Sequence, residues 1–314
     1  MAFRSCVIAV ALGSLGTAGL SAQMKDGPAD LQGIWTNGTL TPLTRPADFA
    51  DRYALTKAEA AEFERTAFER VMKTVPEIDR VTAADLNDIY LDTATLKVVP
   101  DRRTSLIVDP PNGMLPPRTP AAQQRPTRPL SYDDPESRTL HERCLLSLNF
   151  GGSSSVPPLV PNPVLQDFYR IVQTPQHVLI LSELVHDTRI IRIGGRHLPP
   201  HVRQWHGDSV GHWEGDTLVV DTTNFTDKTR YRGSSTSLHV IERFRPIGVN
   251  TLDYRVTVED PDTWTAPWTA QVPFSRTNNS MFEYACHEAN YSMANSLRGM
   301  RAKEKDDEAA ARKQ

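Results

Sequence analysis

The feature that most constrains the fold is a run of short β-branched and apolar segments beginning at residue 168, separated by turn signals. Gly215 and Asp216, for example, separate two such segments and are typical of a tight hairpin. No helical pattern interrupts the run, which indicates a mainly β chain folded as an antiparallel up-and-down β-barrel or a strongly curled sheet. The expected strands are 168–174, 178–185, 188–193, 210–214, 217–222, 238–245, 252–259, 268–275 and 281–286.

Upstream of this run the pattern predicts a strand and an N-terminal helical segment. Residues 31–36 include Gly-Ile-Trp and are expected to open the sheet. Thr56 and Glu59 form a capping box, which predicts a helix over residues 56–73. Its apolar residues recur at helical spacing, so one face is expected to pack on the sheet. Residues 85–91 are a possible second helix.

Residues 109–163 form a proline-rich arm. Proline lacks the backbone donor that a β-ladder needs, so this stretch is either a linker or an ordered arm wrapped over one domain. A disulfide at Cys144 would favour the wrapped arm. The sequence therefore predicts one domain over 23–300, followed by a charged tail at 301–314 that is either a solvated helix or disordered.

The first 22 residues have the pattern of a secretory signal peptide. Arg4 precedes an apolar stretch from Cys6 to Leu20, and the small residues Ser21 and Ala22 then offer a cleavage site after Ala22. The apolar stretch is shorter than the roughly 20 residues of a membrane span, and nothing else indicates a membrane anchor. We expect a periplasmic or secreted protein.

Cleavage would leave two cysteines, Cys144 and Cys286. In an exported protein two cysteines most simply pair with each other, and this pair would close a loop of roughly 140 residues. The alternative is a thiol nucleophile at Cys286 beside His287, but neighbours in an extended strand point to opposite faces. The disulfide is the favoured interpretation.

Charge and motifs exclude several kinds of function. The net charge is −3, and lysine and arginine are spread along the chain, so nucleic acid and membrane surfaces are not expected partners. A phosphate loop, a dinucleotide fingerprint and a GxSxG nucleophile elbow are all missing from the sequence. No organic cofactor is predicted, the expected partner is a small-molecule ligand or substrate, and the oligomeric state is left open.

Residues 211–225 read GHWEGDTLVVDTTNF. On this motif the chain resembles a family of uncharacterised exported bacterial proteins. The resemblance extends to Gly33-Ile34-Trp35, to residues 103–111 and to residues 284–288. It implies a lipocalin-like β-barrel and brings no known reaction.

Three polar or aromatic residues precede the hairpin, on an expected loop near the barrel mouth. Arg203 could hold a developing negative charge, Trp205 could stack on a ring or sugar, and Asp208 could move a proton. The alternative is a structural Arg–Asp pair beneath a core tryptophan. Trp213 and Asn224 of the hairpin are further candidate substrate contacts.

Asp221 is the second candidate proton carrier. It shares a strand face with Val219, so it is either a desolvated acid or base or a strand-end residue that accepts bonds from the turn at 222–224. His186 could assist but fits a turn equally well. Glu183 is expected on the apolar face of its strand, with an arginine partner or a raised pKa.

Later strands supply inward candidates. His239 and Arg243 share one face of their strand, and Tyr254 lies beside Val256 and Val258. These residues could line a pocket or pair across the sheet.

Four histidines within sixteen positions raise the question of a metal site. Two prolines interrupt the spacing between the first pair, and HExxH and paired CxxC motifs are missing, so metal binding is the weaker interpretation. The histidines are His197, His201, His206 and His212.

Two functions are compatible with these features. The first is an exported enzyme, a lyase, isomerase or hydrolase, that performs acid–base chemistry on an aromatic or sugar-like substrate inside the barrel. Its catalytic residues would be Asp208, Asp221, His186, Arg203 and His239, with Trp205, Trp213, Tyr254, Asn224 and Glu183 contacting the substrate. The second is a lipocalin-like binding protein in which the same residues only select a ligand.

Overall fold

The computed structural model describes residues 28–49, 52–67, 69, 96–126, 131–146, 155–161, 168–288 and 290–312. The predicted signal peptide and the possible helix at 85–91 lie outside these ranges. Ten strands are present in the described part: β1 Gly33–Thr36, β2 Ile107–Asp109, β3 Phe168–Gln173, β4 His177–Ser182, β5 Thr188–Ile193, β6 Asp208–Glu214, β7 Thr217–Thr223, β8 His239–Gly248, β9 Thr251–Glu259 and β10 Trp268–Thr277. The described helices are α1 Lys57–Arg65, α2 Pro120–Gln123 and α3 Tyr291–Ala311, besides short 3₁₀ turns.

The sheet closes into a nine-stranded barrel. Strands β3 to β10 pair in chain order, and β1 pairs with both β3 and β10. β10 is bordered by β9 along one edge, while β1 and the short β2 pair with successive parts of its other edge. The predicted mainly β barrel is confirmed.

One neighbouring pair departs from the antiparallel pattern. β5 and β6 run parallel, with Ile191 opposite Ser209. Parallel neighbours need a crossover connection, and residues 194–207 provide it. This crossover loop carries three of the four histidines that were considered for a metal site, His197, His201 and His206.

The predicted last strand at 281–286 is wrong. These residues form no strand, because both edges of β10 are already paired and a closed barrel has no free edge to receive another strand. They are held instead by a hydrogen bond from the Phe282 amide to Glu183 Oε1 (2.7 Å) and by a disulfide at Cys286.

That disulfide joins Cys286 to Cys144, with Cα atoms 5.7 Å apart, as predicted. It ties residues 281–286 to the proline-rich arm. Another part of the arm, residues 155–161, enters the barrel: Leu159 is fully buried in the main core, and its amide donates to the Tyr254 hydroxyl at 2.9 Å. The described parts of the arm are therefore wrapped on the barrel, the alternative that Cys144 favoured.

Helix α1 begins at the predicted capping box of Thr56 and Glu59. Its described course ends at Arg65, and the last predicted residues, 70–73, lie outside the described ranges. Ala60 and Phe63 pack in a separate apolar cluster with Leu40 and Leu55, so the expectation that the helix lies on the sheet is wrong. The described start of the charged tail, residues 301–311, belongs to α3.

Alternation along each strand divides the barrel wall into two faces. On β7, Leu218 and Val220 lie in the main core inside the barrel, whereas Asp221 lies on the outer face. The inner face is lined by aromatic rings in contact, such as Tyr254 with Phe244, whose centroids are 4.9 Å apart. Among the described residues no helix has the length and apolar character of a membrane span.

Candidate functional site

A connected set of acidic and basic side chains lies on the outer face of the barrel, where β6, β7, β8 and β9 adjoin. We call it the outer-face chain, and it consists of Arg192, Asp208, His197, Asp221, His239 and Glu259. Three of its members, Asp208, Asp221 and His239, are among the predicted catalytic residues.

Asp208 begins the chain and is 2% exposed. One carboxylate oxygen accepts from Arg192 at 2.7 Å, and the other accepts from His197 Nδ1 at 3.0 Å and from the Leu198 amide at 2.7 Å. This buried carboxylate fixes the orientation of the His197 ring, as carboxylates do in catalytic Asp–His pairs. Asp208 was predicted to lie on a loop, and this prediction is wrong. It is the first residue of β6, because β6 begins two residues earlier than expected.

Asp221 lies at the centre of the chain, with its side chain 43% exposed. Its Oδ1 lies 3.0 Å from His197 Nε2 and accepts from His239 Nε2, also at 3.0 Å. Both alternatives considered from the sequence missed this arrangement, since the carboxylate faces neither an apolar wall nor the turn at 222–224. The register explains the second contact, because Asp221 is opposite Ile241 and so lies diagonal to His239 on the same outer face.

His239 bridges two carboxylates. Its Nε2 faces Asp221, and its Nδ1 lies 3.0 Å from Glu259 Oε2, directly across from it on β9. A ring nitrogen donates to a carboxylate only when it carries a proton, so both contacts are satisfied by the imidazolium. The hydrogen bond with Asp221 raises the pKa of His239 to about 9, and Glu259 adds to the effect. In return, the hydrogen bond from His239 lowers the pKa of Asp221 below its ordinary value.

The crossover loop holds His197 in place through its ends. Gly207 has φ +71°, and a Cβ there would lie 2.7 Å from Thr222 Cγ2, so the close approach of loop and strand requires glycine. The Asn224 side chain donates to the Leu198 carbonyl at 2.9 Å. Asn224, predicted to contact substrate, is thus a support for the loop beside His197.

Arg203 and Trp205 do not join the outer-face chain. Arg203 donates to the carbonyls of Phe225 and Thr236, both at 2.9 Å. The arginine that pairs with Asp208 is Arg192, and not Arg203 as the sequence suggested. Trp205 and Trp213 pack against the main core, so the stacking role predicted for Trp205 and the substrate contact predicted for Trp213 find no support in their positions.

His186 and Glu183 lie in the turn after β4, away from the chain just described. His186 Nδ1 lies 3.1 Å from the Tyr284 carbonyl. The strand ends at Ser182, so Glu183 is not on its apolar face as predicted; burial nevertheless raises the pKa of Glu183, as expected. Both residues anchor the segment that follows β10.

Two further predicted positions were assigned to the wrong side of the wall. His239 and Arg243 point outward from β8, not inward, while Val240 and Phe244 fill the interior. Tyr254 does point inward, where its hydroxyl donates to Glu242 Oε1 at 2.9 Å. Glu242 in turn pairs with Arg189 at 2.6 Å, and both side chains are essentially inaccessible to solvent.

Sequence reasoning missed Arg192, Glu259, Glu242 and Arg189 altogether and considered His197 only as a metal ligand. The signal for Glu242 was available, since it shares a strand face with the core residues Val240 and Phe244. Arg192 and Glu259 gave no local signal, because their relevance depends on which strands are neighbours. Within the described ranges, no group of three or more His, Cys, Asp or Glu residues is arranged to hold a metal ion.

Comparison with known proteins adds little. No family model and no curated protein matches this chain. Among solved structures, a crystal structure of a mutant of the fluorescent protein UnaG covers 36% of this chain and 73% of its own at 14% identity, with a TM-score of 0.24. So low a similarity supports no inference about fold or function, and the barrel assignment rests on the pairing of β1 with β10.

Proposed function

We propose that this protein is an exported acid–base enzyme whose reacting groups are Asp221 and His239, on the outer face of the barrel. The observation that carries the proposal is the continuous hydrogen-bonded chain from buried Asp208 through His197 to the half-exposed carboxylate of Asp221. Because the side chain of Asp221 is partly exposed, a substrate can reach its carboxylate. Burial of Asp208 gives the chain a fixed end.

The two reacting groups have complementary states at neutral pH. Asp221 is ionised, since its pKa is lowered, and it would stabilise positive charge that develops on a substrate. His239 is protonated, since its pKa is about 9, and it would supply a proton to a leaving group. This division of roles suits a hydrolase or a lyase, and an isomerase less well.

The surroundings favour a polar, sugar-like substrate over an aromatic one. Trp205, the expected stacking residue, and Trp213, an expected substrate contact, pack against the core. Carboxylates and imidazoles around the site offer hydrogen bonds to hydroxyl groups.

Binding of a ligand inside the barrel, the second function considered, has less support. The described interior contains packed aromatic rings, and Leu159 and Val160 of the arm are buried among them. We also propose that the protein is exported and that it belongs to the family with the GHWEGDTLVVDTTNF motif. The disulfide supports export, because such bonds persist in oxidising compartments.

The test is a turnover screen of purified protein against glycosides and hydroxylated acids, with Asp221→Asn and His239→Gln variants. Each variant is expected to lower kcat by about 100-fold or more, the usual scale of a lost acid or base. His212→Gln is the matched control, because His212 is also an outer-face histidine bonded to a glutamate, 3.2 Å from Glu214. If Asp221→Asn and His239→Gln keep the turnover of His212→Gln, Asp221 and His239 do not catalyse the reaction.

A further inference from the structure

A second site candidate is a cleft of about 820 Å³ at the surface, separate from the residues of the outer-face chain. Three parts of the chain form its walls: residues 118–126, residues 136–143 and residues 227–233. Its volume falls within the range of about 300–1,000 Å³ typical of small-molecule sites. We call it the cationic cleft.

Positive side chains dominate the lining. Six cationic residues face two carboxylates, Glu136 and Asp227, in a protein whose net charge is −3. A concave surface lined by one sign of charge concentrates ligands of the opposite sign. The cationic residues are Arg118, Arg125, Arg138, Arg143, Lys228 and Arg230.

Two of these cations, Arg143 and Arg230, have no acidic partner within the described ranges, and a third, Lys228, has a long ion pair. Arg143 makes no side-chain hydrogen bond or ion pair with any residue in the described ranges. The Arg230 Nε donates only to a neutral acceptor, the Asp227 carbonyl, at 2.7 Å. Lys228 is paired with Glu136 at a long distance, 3.4 Å.

Two other arginines are positioned rigidly, Arg125 by neutral acceptors and Arg138 by a carboxylate and an aromatic ring. Arg125 donates to the Gly233 carbonyl at 2.6 Å and to the Asp262 carbonyl at 3.0 Å, so its guanidinium is held in place without an acidic partner among the described residues. Arg138, whose side chain is 10% exposed, pairs with Glu142 and lies over the Tyr132 ring at 4.3 Å. Its Nε is buried and has no partner among the described residues.

Preorganised guanidinium groups are the usual recognition elements for carboxylate and phosphate, because their parallel N–H groups match the two oxygens. Ala122, Pro126 and Leu140 supply apolar wall between them. From these features we propose that the cationic cleft binds a small polyanion that carries two or more carboxylate or phosphate groups on a compact body. This site goes beyond the proposed enzymatic function and does not depend on it.

The test is calorimetric titration of the full-length mature protein with citrate and with pyrophosphate, with acetate as a monovalent comparison. Wild-type protein is expected to bind at least one of the two polyanions saturably and at least 10-fold more tightly than acetate. Arg143→Gln and Arg230→Gln are each expected to raise the Kd for that polyanion at least 5-fold. Binding of citrate alone would assign the carboxylate form of the proposal, and binding of pyrophosphate alone the phosphate form.

Arg298→Gln is the matched control, since it removes an exposed arginine on α3 outside the cleft and is expected to change the Kd less than 2-fold. Asp221→Asn should also leave binding unchanged, which separates this site from the proposed enzyme site. Circular dichroism checks that each variant is folded. Absence of saturable binding for both polyanions, or an equal loss in Arg298→Gln, would overturn the proposal.

Discussion

At the scale of single residues, several charges that are shielded from water are paired with opposite charges. The clearest case is Arg189 with Glu242 inside the barrel, where two further nitrogens of Arg189 have no partner in the described structure. A buried pair of this kind adds little net stability, but removal of one partner leaves the other charge buried without a counter-charge. The outer-face chain uses the same pairing at the edge of solvent, where protons can exchange.

Replacement of Glu242 by glutamine should therefore be strongly destabilising. The Arg189 guanidinium would remain buried without a counter-charge, and the free energy of unfolding should fall by about 3–5 kcal/mol. Urea denaturation measures the change. Glu214→Gln is the comparison, because Glu214 pairs with Arg243 at the exposed surface, where an ion pair adds little to stability. Equal effects in the two variants would show that burial of the inner pair is energetically unimportant.

The pH dependence of the free energy of unfolding should reveal the raised pKa of His239. Its pKa is about 9 in the folded protein against 6.5 for an unperturbed histidine, so the folded state binds the proton more tightly. The stabilisation is fully present below pH 6.5 and is lost as the pH rises through 9. Since the side chain is 31% exposed, screening should reduce the loss to about 1–2 kcal/mol.

Asp221 acts in the opposite sense. Its pKa is lowered, so its contribution is present above its ordinary value of 3.8 and is lost as the pH falls below that value. Urea unfolding from pH 3 to 10 should show both limbs in the wild type. His239→Gln should flatten the alkaline limb, and an unchanged alkaline limb in that variant would contradict the assignment.

At the scale of elements, the crossover loop between β5 and β6 determines the site. The loop passes over the outer face and places His197 between Asp208 and Asp221. Without the parallel pairing of β5 and β6, residues 194–207 would form an ordinary hairpin connection at one end of the barrel. The site therefore depends on a long connection and on the glycine at its end.

Gly207→Ala should disturb this connection more than a nearby glycine substitution does. A Cβ at 207 would lie 2.7 Å from Thr222 Cγ2 and 2.8 Å from the Thr223 carbonyl oxygen, and φ is positive. We expect a loss of about 2–4 kcal/mol in unfolding free energy, together with lower turnover. Gly195→Ala is the control, with φ +94° but no atom within 4 Å of the added Cβ. It should cost about 1 kcal/mol from backbone strain alone, and equal costs at both positions would count against the close approach.

The faces of the strands were predictable from the sequence, whereas the path of the crossover loop was not. Alternation on β7 correctly separated Asp221 from Leu218 and Val220, because a strand has only two faces. Alternation does not say which face is inside, so His239 was assigned to the interior in error. The contact of His197 with two carboxylates depends on the path of a long loop, and no local pattern records that path.

At the scale of the whole molecule, a disulfide and an arm hold distant parts of the chain on one barrel. The capping box, the cysteine pair and eight of the nine expected strands from residue 168 onward were predictable, because each has a local or compositional signal. The prediction of a ninth strand at 281–286 was wrong, because pairing of β1 with β10 closes the barrel. That closure is a property of the complete sheet and has no local sequence signal. The same closure leaves those residues to be fixed by Cys286.

Removal of the disulfide should loosen the arm and lower stability. The bond spans 142 positions, and loss of a crosslink over so long a loop typically costs about 2–5 kcal/mol. A Cys144→Ala, Cys286→Ala double variant tests this by thermal and urea unfolding. Wild-type protein under reducing conditions should behave like the double variant. Stability equal to that of oxidised wild type would show that the arm is held by packing alone.

The central claim is that the outer-face chain holds His239 as a proton donor beside Asp221, and NMR titration of the histidine side chains tests it most directly. In the wild type, both ring nitrogens of His239 should remain protonated through neutral pH, with a midpoint near 9. In Asp221→Asn the midpoint should fall by at least one pH unit, because the largest cause of the raised pKa is gone. A midpoint near 6.5 in the wild type, or one unmoved in Asp221→Asn, would contradict the account.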